Sequence, residues 1–168
     1  LSTTPTVELM VKEYNANGGI VITASHNPAH WNALKLLDNN GEFLNSKSGE
    51  EIVKISKSDS YVFSEVFDLG TVSKIKNSMK THIDSILSLD IVNTDLIKKT
   101  NLKVVVDGIN SSGGIIVPML LNELDINYST IFCDPSGDFQ HNPEPLKKNL
   151  TELCKKVVEE KADLGIAV

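Results

Sequence analysis

Gly19-Ile20-Val21-Ile22-Thr23-Ala24-Ser25-His26-Asn27-Pro28 is the stretch on which the reading of this chain turns. Four apolar or β-branched residues in a row predict a buried strand. The run stops at a serine, and Asn27-Pro28 then forces the chain to turn. A strand of an α/β fold that ends this way delivers the serine hydroxyl to its carboxyl end, where such folds present ligands and chemistry. Ser25 is therefore a candidate nucleophile. The bland reading is a capped turn in which Ser25 bonds nearby amides.

Outward from this run, Thr4-Pro5 opens a helix whose apolar residues Val7, Met10, Val11 and Tyr14 recur at helical spacing, and Asn17-Gly18-Gly19 ends it. After the serine, residues 32–38 read as a second strand, with Asn39-Asn40-Gly41 as a tight turn into 42–44. Leu34 and Leu36 lie on one face of that strand and Lys35 on the other. With the leucines in the core, Lys35 faces the open side and a turn through 28–31 brings it toward Ser25. Ser48 and Glu51 predict a capping box for a helix over 49–57. Residues 61–69 read as extended or irregular, and 71–99 as a long helical region, broken near Asp90 or Asn93, that carries a domain junction near residue 80.

The remainder alternates. Residues 103–107 form a strand around Val104-Val105-Val106, and 115–124 form a helix with Pro118 in its first turn. Tyr128 to Cys133 is a strand, Pro145 starts a helix carrying Leu146, Leu150, Leu153, Val157 and Val158, and Leu164 to Val168 is a strand. A β-α-β-α-β order implies a largely parallel sheet covered on both sides. The predicted fold class is α/β: two consecutive units, 1–79 and 80–168, each a mostly parallel or mixed sheet flanked by helices, the first cut short at its N-terminus.

The chain has 168 residues, 40% of them hydrophobic, and a net charge of −6 from 16 basic and 22 acidic side chains. That balance argues against binding a nucleic-acid backbone. No apolar run is long enough to span a membrane, no leader is visible, and two cysteines make no disulfide framework, so a cytoplasmic location is the default. The chain begins at Leu1 and stops at Val168 within a strand pattern, which reads as a piece of a longer protein.

Thr23-Ala24-Ser25-His26-Asn27-Pro28, followed by Asn32 and by Lys35 ten positions after the serine, closely resembles the phosphoserine loop of the α-D-phosphohexomutases: phosphoglucomutases, phosphomannomutases and phosphoglucosamine mutases. Val104-Val105-Val106-Asp107-Gly108, Gly113-Gly114, Pro118, Phe139 with His141 and Pro143, and residues 162–167 fit the second domain of the same family. The resemblance implies a mutase that moves phosphate between O1 and O6 of a hexose phosphate through a phosphoserine at Ser25 and a hexose 1,6-bisphosphate. It implies Lys35 as the residue that moves the substrate hydroxyl proton, or as a plain phosphate clamp. His26 then shapes the loop or assists in acid–base chemistry, while Thr23, Asn27 and Asn32 hold substrate or phosphate. It further implies Mg2+ bound through the Ser25 phosphate, with its aspartate ligands beyond Val168, and hence a chain that is inactive alone. Ala33 stands where the family commonly has glycine.

A non-catalytic sugar-phosphate-binding module is the alternative. His141-Asn142-Pro143 repeats the tripeptide of the serine loop without a nucleophile, leaving His141 as a hydrogen-bonding anchor. Pro28 between His26 and His30 argues against a helical zinc pair. Gly108, Gly113 and Gly114 read as packing glycines rather than a phosphate cradle, Asp134 and Asp138 as a surface turn, and Trp31 as packing. A severed first unit exposes apolar surface, so self-association is expected.

Overall fold

The computed structural model describes residues 1–28 and 30–168. Helix α1 (Thr4–Glu13) is capped by Thr3, one residue before the threonine expected, whose side chain accepts from the Thr6 amide at 3.3 Å. Strands β1 (Gly19–Thr23) and β2 (Ala33–Leu37) pair antiparallel, with Thr23 opposite Ala33 and Val21 opposite Lys35. The α/β class holds, but this first sheet is a two-stranded antiparallel pair rather than mostly parallel or mixed. Facing residues of such a pair share a side of the sheet. Val21 and Leu37 form a buried cluster with Val11 of α1.

Lys35 thus lies on the face that α1 covers, and Leu34 and Leu36 do not. Ile20, Ile22 and Leu34 occupy the opposite face and are 63%, 72% and 61% exposed. The expectation that β1 is buried and that Leu34 and Leu36 face the core is corrected here. Alternation fixes which residues share a face, but only the packing of α1 decides which face is covered.

After the turn at Gly41, which has φ +73° and whose Cβ would strike the Glu8 carbonyl, a bridge joins Leu37 to Phe43. Helix α2 (Ser46–Lys57) starts earlier than predicted and is capped by Asn45, which accepts from the Ser48 amide at 3.0 Å, not by a Ser48–Glu51 box. Residues 58–77 are irregular, with a turn at 58–59 and one short turn of helix at Val66–Asp68. The helix expected from residue 71 therefore begins only at Ser78. Val72, in the first turn expected, is fully exposed, and without a surface to bury such residues there is little to hold a helix. Helix α3 (Ser78–Leu87) and helix α4 (Thr94–Lys98) follow, separated at the break anticipated near Asp90 and Asn93.

The second sheet is wholly parallel, in the order β4-β3-β5, from β3 (Lys103–Asp107), β4 (Asn127–Ile131) and β5 (Leu164–Ala167). Helix α5 (Gly113–Glu123) packs its Leu121 on Val104 and Val106, and helix α6 (Thr151–Glu159) lies over Gly165, the partner of Val105. The two helices therefore cover opposite faces, and Val104, Val105 and Val106 are buried. Pro118 falls inside α5 rather than in its first turn, and α6 starts after Pro145, behind a short turn at Lys147–Asn149. Gly108 and Gly114 are indeed packing glycines: a Cβ on Gly108 would collide with the Gly114 backbone. Helix α3 ties the two sheets together, packing on both α1 and α5, with His82 Nδ1 2.9 Å from the hydroxyl of fully buried Thr6.

Glu160, at the end of α6, meets Lys156 at 2.9 Å and Lys103 at 3.2 Å. The Lys156 ammonium, followed by other donors including Lys103, lowers its carboxyl from 4.5 to about 2. A depressed carboxyl adds stability above its unfolded value, and that stability is lost as pH falls from about 4.5 through about 2. Glu160→Gln is expected to flatten the loss of stability across that window, read as urea midpoints against pH. An unchanged acid limb counts against the ion pairs.

Candidate active site

The serine loop is built from short-range hydrogen bonds. The Ser25 amide donates to the Thr23 hydroxyl at 2.9 Å, and Asn27 donates to the Ala24 carbonyl from its amide at 3.1 Å and from its side chain at 3.0 Å. These bonds hold Ser25 at φ +55°, a left-handed conformation uncommon for a serine. The Trp31 amide donates to the Pro28 carbonyl at 2.9 Å, which closes the turn toward β2. Ser25 and His26 are exposed at the tip, with 3.4 Å between Ser25 Oγ and His26 Nδ1. That is a long contact, so the hydroxyl is free to carry another group.

The structure brings the sequence-selected residues together in one place. Thr23, Ser25, Asn27, Asn32 and Lys35 line a single cavity of about 90 Å³ at the open end of the β1–β2 pair. Lys35 reaches it from the face shared with Thr23, its ammonium 5.5 Å from the centre of the Phe43 ring. Asn32 turns back to accept from the Ala33 amide at 3.0 Å, so Ala33 takes the family glycine's place in extended backbone without strain.

His26 alone lies apart from this cavity. It lines a second one, of about 180 Å³, which Ser25 shares with Ser111, Ser112, Phe139 and Pro143, and a third with Asp107 and His141. The serine loop therefore faces the carboxyl end of the parallel sheet across these cavities, where an α/β fold collects its ligands.

Trp31 departs from its expected packing role. It is 58% exposed and lines an open cleft with Thr23, Asn32, Asp138 and Phe139. Asp134 and Asp138 sit in a surface turn, as read, with Gly137 at φ +82°. Burial pushes the Cys133 thiol up, which makes it a poor nucleophile at neutral pH.

Among the described residues no group of three His, Cys, Asp or Glu side chains is placed to hold a metal ion. The nearest buried carboxylate, Asp107, already accepts from the Ile109 amide at 3.0 Å and from His141 at 2.9 Å. Among the described residues the side chains do not by themselves make a Mg2+ site.

In the sequence Asp107 counts only as part of the run that resembles the family's second domain, and Asn110 has no role assigned. The available signal was an aspartate closing a Val-Val-Val strand, because a carboxylate at the end of a buried run needs a partner.

Comparison with known proteins agrees with the geometry. The family described as phosphoglucomutase/phosphomannomutase, alpha/beta/alpha domain II, matches residues 80–168, and domain I of the same family matches residues 1–62. A "Probable phosphoglucosamine mutase" of Pyrococcus horikoshii is 35% identical over 167 residues, covering 99% of this chain and 36% of that protein. A phosphoglucomutase/phosphomannomutase of Thermococcus kodakarensis is 33% identical over 168 residues, again covering 99% of this chain and 36% of the relative. Among solved structures, one from Thermus thermophilus described as a phosphomannomutase superposes with a TM-score of 0.83 at 20% identity, over 99% of this chain and 37% of that one, which shows the shared fold. The chain thus spans a little over a third of the length of the relatives it matches, and it belongs to the phosphoglucomutase/phosphomannomutase family of phosphohexomutases.

Proposed function

We propose that this chain carries the phosphoryl-transfer half of a hexose-phosphate mutase, with Ser25 as the residue that holds the phosphoryl group. The observation that carries the reading is the convergence of Ser25, Lys35, Thr23, Asn27 and Asn32 on one cavity, on a strand end that faces the parallel sheet. A substrate hydroxyl oxygen attacks phosphorus while the bond to Ser25 Oγ breaks. The hydroxyl proton passes to Ser25 Oγ, with Lys35 as the relay or as a fixed cation beside the phosphate. The resulting hexose 1,6-bisphosphate reverses in the cleft and returns its other phosphate to Ser25. His26 shapes the loop, and Thr23, Asn27 and Asn32 orient it.

Mg2+, when bound, supplies charge neutralisation at the transferred group. Among the described residues only a phosphorylated Ser25 would offer it a ligand, and the aspartates are expected beyond Val168. For that reason the 168-residue chain alone is expected to be inactive. We also divide it into two units at 79/80, supported by the separate sheets and by family matches over 1–62 and 80–168. A cytoplasmic location belongs to the same proposal, because a charged sugar phosphate does not cross a bilayer unaided; among the described residues no helix is long and apolar enough to span one.

The deciding experiment is a panel of glucose, mannose and glucosamine phosphates given to the longest natural protein that contains this chain, with Mg2+ and the matching bisphosphate. Interconversion of one of them supports the reading. Tight binding of a hexose phosphate with no turnover would instead leave a sugar-phosphate-binding module.

The uncovered face of β1–β2, with Ile20, Ile22 and Leu34, together with exposed Phe67 and Val72, leads us to expect that the 168-residue chain self-associates. Sedimentation velocity should show an average mass that rises with concentration, and a constant monomer mass rejects the expectation.

A further inference from the structure

The loop over residues 132–145, between β4 and α6, is held down more firmly than a surface loop requires. His141 places Nε2 2.9 Å from Asp107 Oδ2 and Nδ1 2.9 Å from the Asn142 carbonyl. A carbonyl can only accept, so Nδ1 carries a proton, and a carboxylate calls for a second one on Nε2. Asp107 is 1% exposed and spends its other oxygen on the Ile109 amide, so it has no solvent to replace the imidazole.

Asn110, also buried, binds the same loop four ways, the first being its backbone amide, which donates to the Phe132 carbonyl at 2.5 Å. Its side-chain nitrogen donates to the Asp138 carbonyl at 2.9 Å, its side-chain oxygen accepts from the Asp134 amide at 3.2 Å, and its backbone carbonyl accepts from the Gly137 amide at 2.9 Å.

The backbone supports the same conclusion. Ile109, Asn110 and Phe132 all adopt positive φ, at 44°, 56° and 50°. A β-branched residue in that region is an outlier, and such conformations persist only where the surroundings enforce them, most often at functional sites. The loop so held supplies Phe139 and Pro143 to the cavity that Ser25 lines, while Asp107 and His141 share the adjoining cavity with His26.

We propose that Asp107, Asn110 and His141 are positioning residues that pin loop 132–145 to the end of β3, so that Phe139 and Pro143 form a fixed wall across from Ser25. The kinetic part of this proposal rests on the mutase reading, whereas the tether does not. Burial works against charge on the imidazole, but the Asn142 carbonyl and the Asp107 carboxylate outweigh it and raise the His141 pKa above 6.5. Besides Asp107, the ionisable groups around His141 are His26 across the cavity and Cys133, Asp134, Asp138 and Glu144 on its own loop.

The test uses His141→Phe and the isosteric Asp107→Asn, made in the longest natural protein containing this chain and checked for folding by thermal melting. Nitrogen-detected NMR of the wild type should show His141 protonated on both ring nitrogens at neutral pH, and Asp107→Asn should abolish that signature. Hydrogen exchange of the amides in 132–145 should accelerate by about 10-fold or more in both variants, while amides of β3 keep their protection. Turnover should fall by about 10–100-fold with KM changed by less than about 3-fold, because a misplaced wall disturbs the reacting geometry more than ground-state binding. A neutral His141 at pH 7, or exchange in the loop unchanged in both variants, overturns the tether. Accelerated exchange with turnover intact overturns the positioning role. Should the wild type turn over no hexose phosphate, the mutase reading fails. In that case shifts of the Ser25 and His26 amide resonances in Asp107→Asn still decide whether the loop is felt at the serine, and unmoved resonances overturn the proposal.

Discussion

Ser25→Ala is expected to lower mutase turnover by at least about 10³-fold in the longest natural protein containing this chain, since the phosphoryl group then has no oxygen to reside on between its two transfers. Mass spectrometry of that protein should find a phosphate on the peptide containing Ser25 and none there in the variant. The substitution removes one exposed oxygen from a loop whose shape is set by Thr23, Ala24 and Asn27, so the fold should be unaffected. Full turnover in Ser25→Ala would refute the assignment of the nucleophile. Lys35 separates along a different line. Lys35→Arg keeps the positive charge in the cavity but cannot give up its proton, whereas Lys35→Met keeps neither. Recovery of most activity in Lys35→Arg identifies a phosphate clamp. Equal loss in both variants identifies a proton relay.

Ile83→Ala is expected to cost about 2–5 kcal/mol of stability, a large share of what a domain of this size possesses. Ile83 is completely buried on α3, the helix that packs against α1 on one side and α5 on the other. Truncating it leaves a void that neither neighbour can fill without shifting the other. The urea midpoint should fall with little change in slope, and Ile83→Val should cost only about 0.5–1.5 kcal/mol. A loss below about 1 kcal/mol for Ile83→Ala would mean that α3 does not hold the two sheets together as the packing indicates. Because α3 fixes the serine loop's sheet relative to the parallel sheet, the void should also lower turnover near the midpoint temperature before the sheets themselves melt.

Elements whose driving force is local were legible in the sequence. The Val104-Val105-Val106 strand and its helices follow from hydrophobic runs of the right period, and the turn at Gly41 follows from its dipeptide. The serine loop was legible for the same reason: the hydrogen bonds that shape it join residues only two or three positions apart. What failed were inferences that depended on a partner surface. Residues 71–77, with Val72 fully exposed, met no surface to pack on and stayed irregular as far as Ser78. The face of β2 that is covered was misjudged because alternation cannot say on which side α1 will pack, so Lys35 came to the serine from the covered face and not from the open one.

The sequence by itself determined which residues turn the chain at Ser25, that the Val104-Val105-Val106 strand is buried on both faces, and to which family the motif belongs. Tertiary structure alone decided that Asp107 would find His141 thirty-four positions away and that Asn110 would reach Asp134 and Asp138. It also decided that the wall opposite Ser25 would come from a loop in the second sheet's half of the chain. The physical reason is range. Dihedral preferences and side-chain periodicity act over a few residues, whereas the partner of a buried charge is chosen by whatever the packed sheets bring within hydrogen-bonding distance.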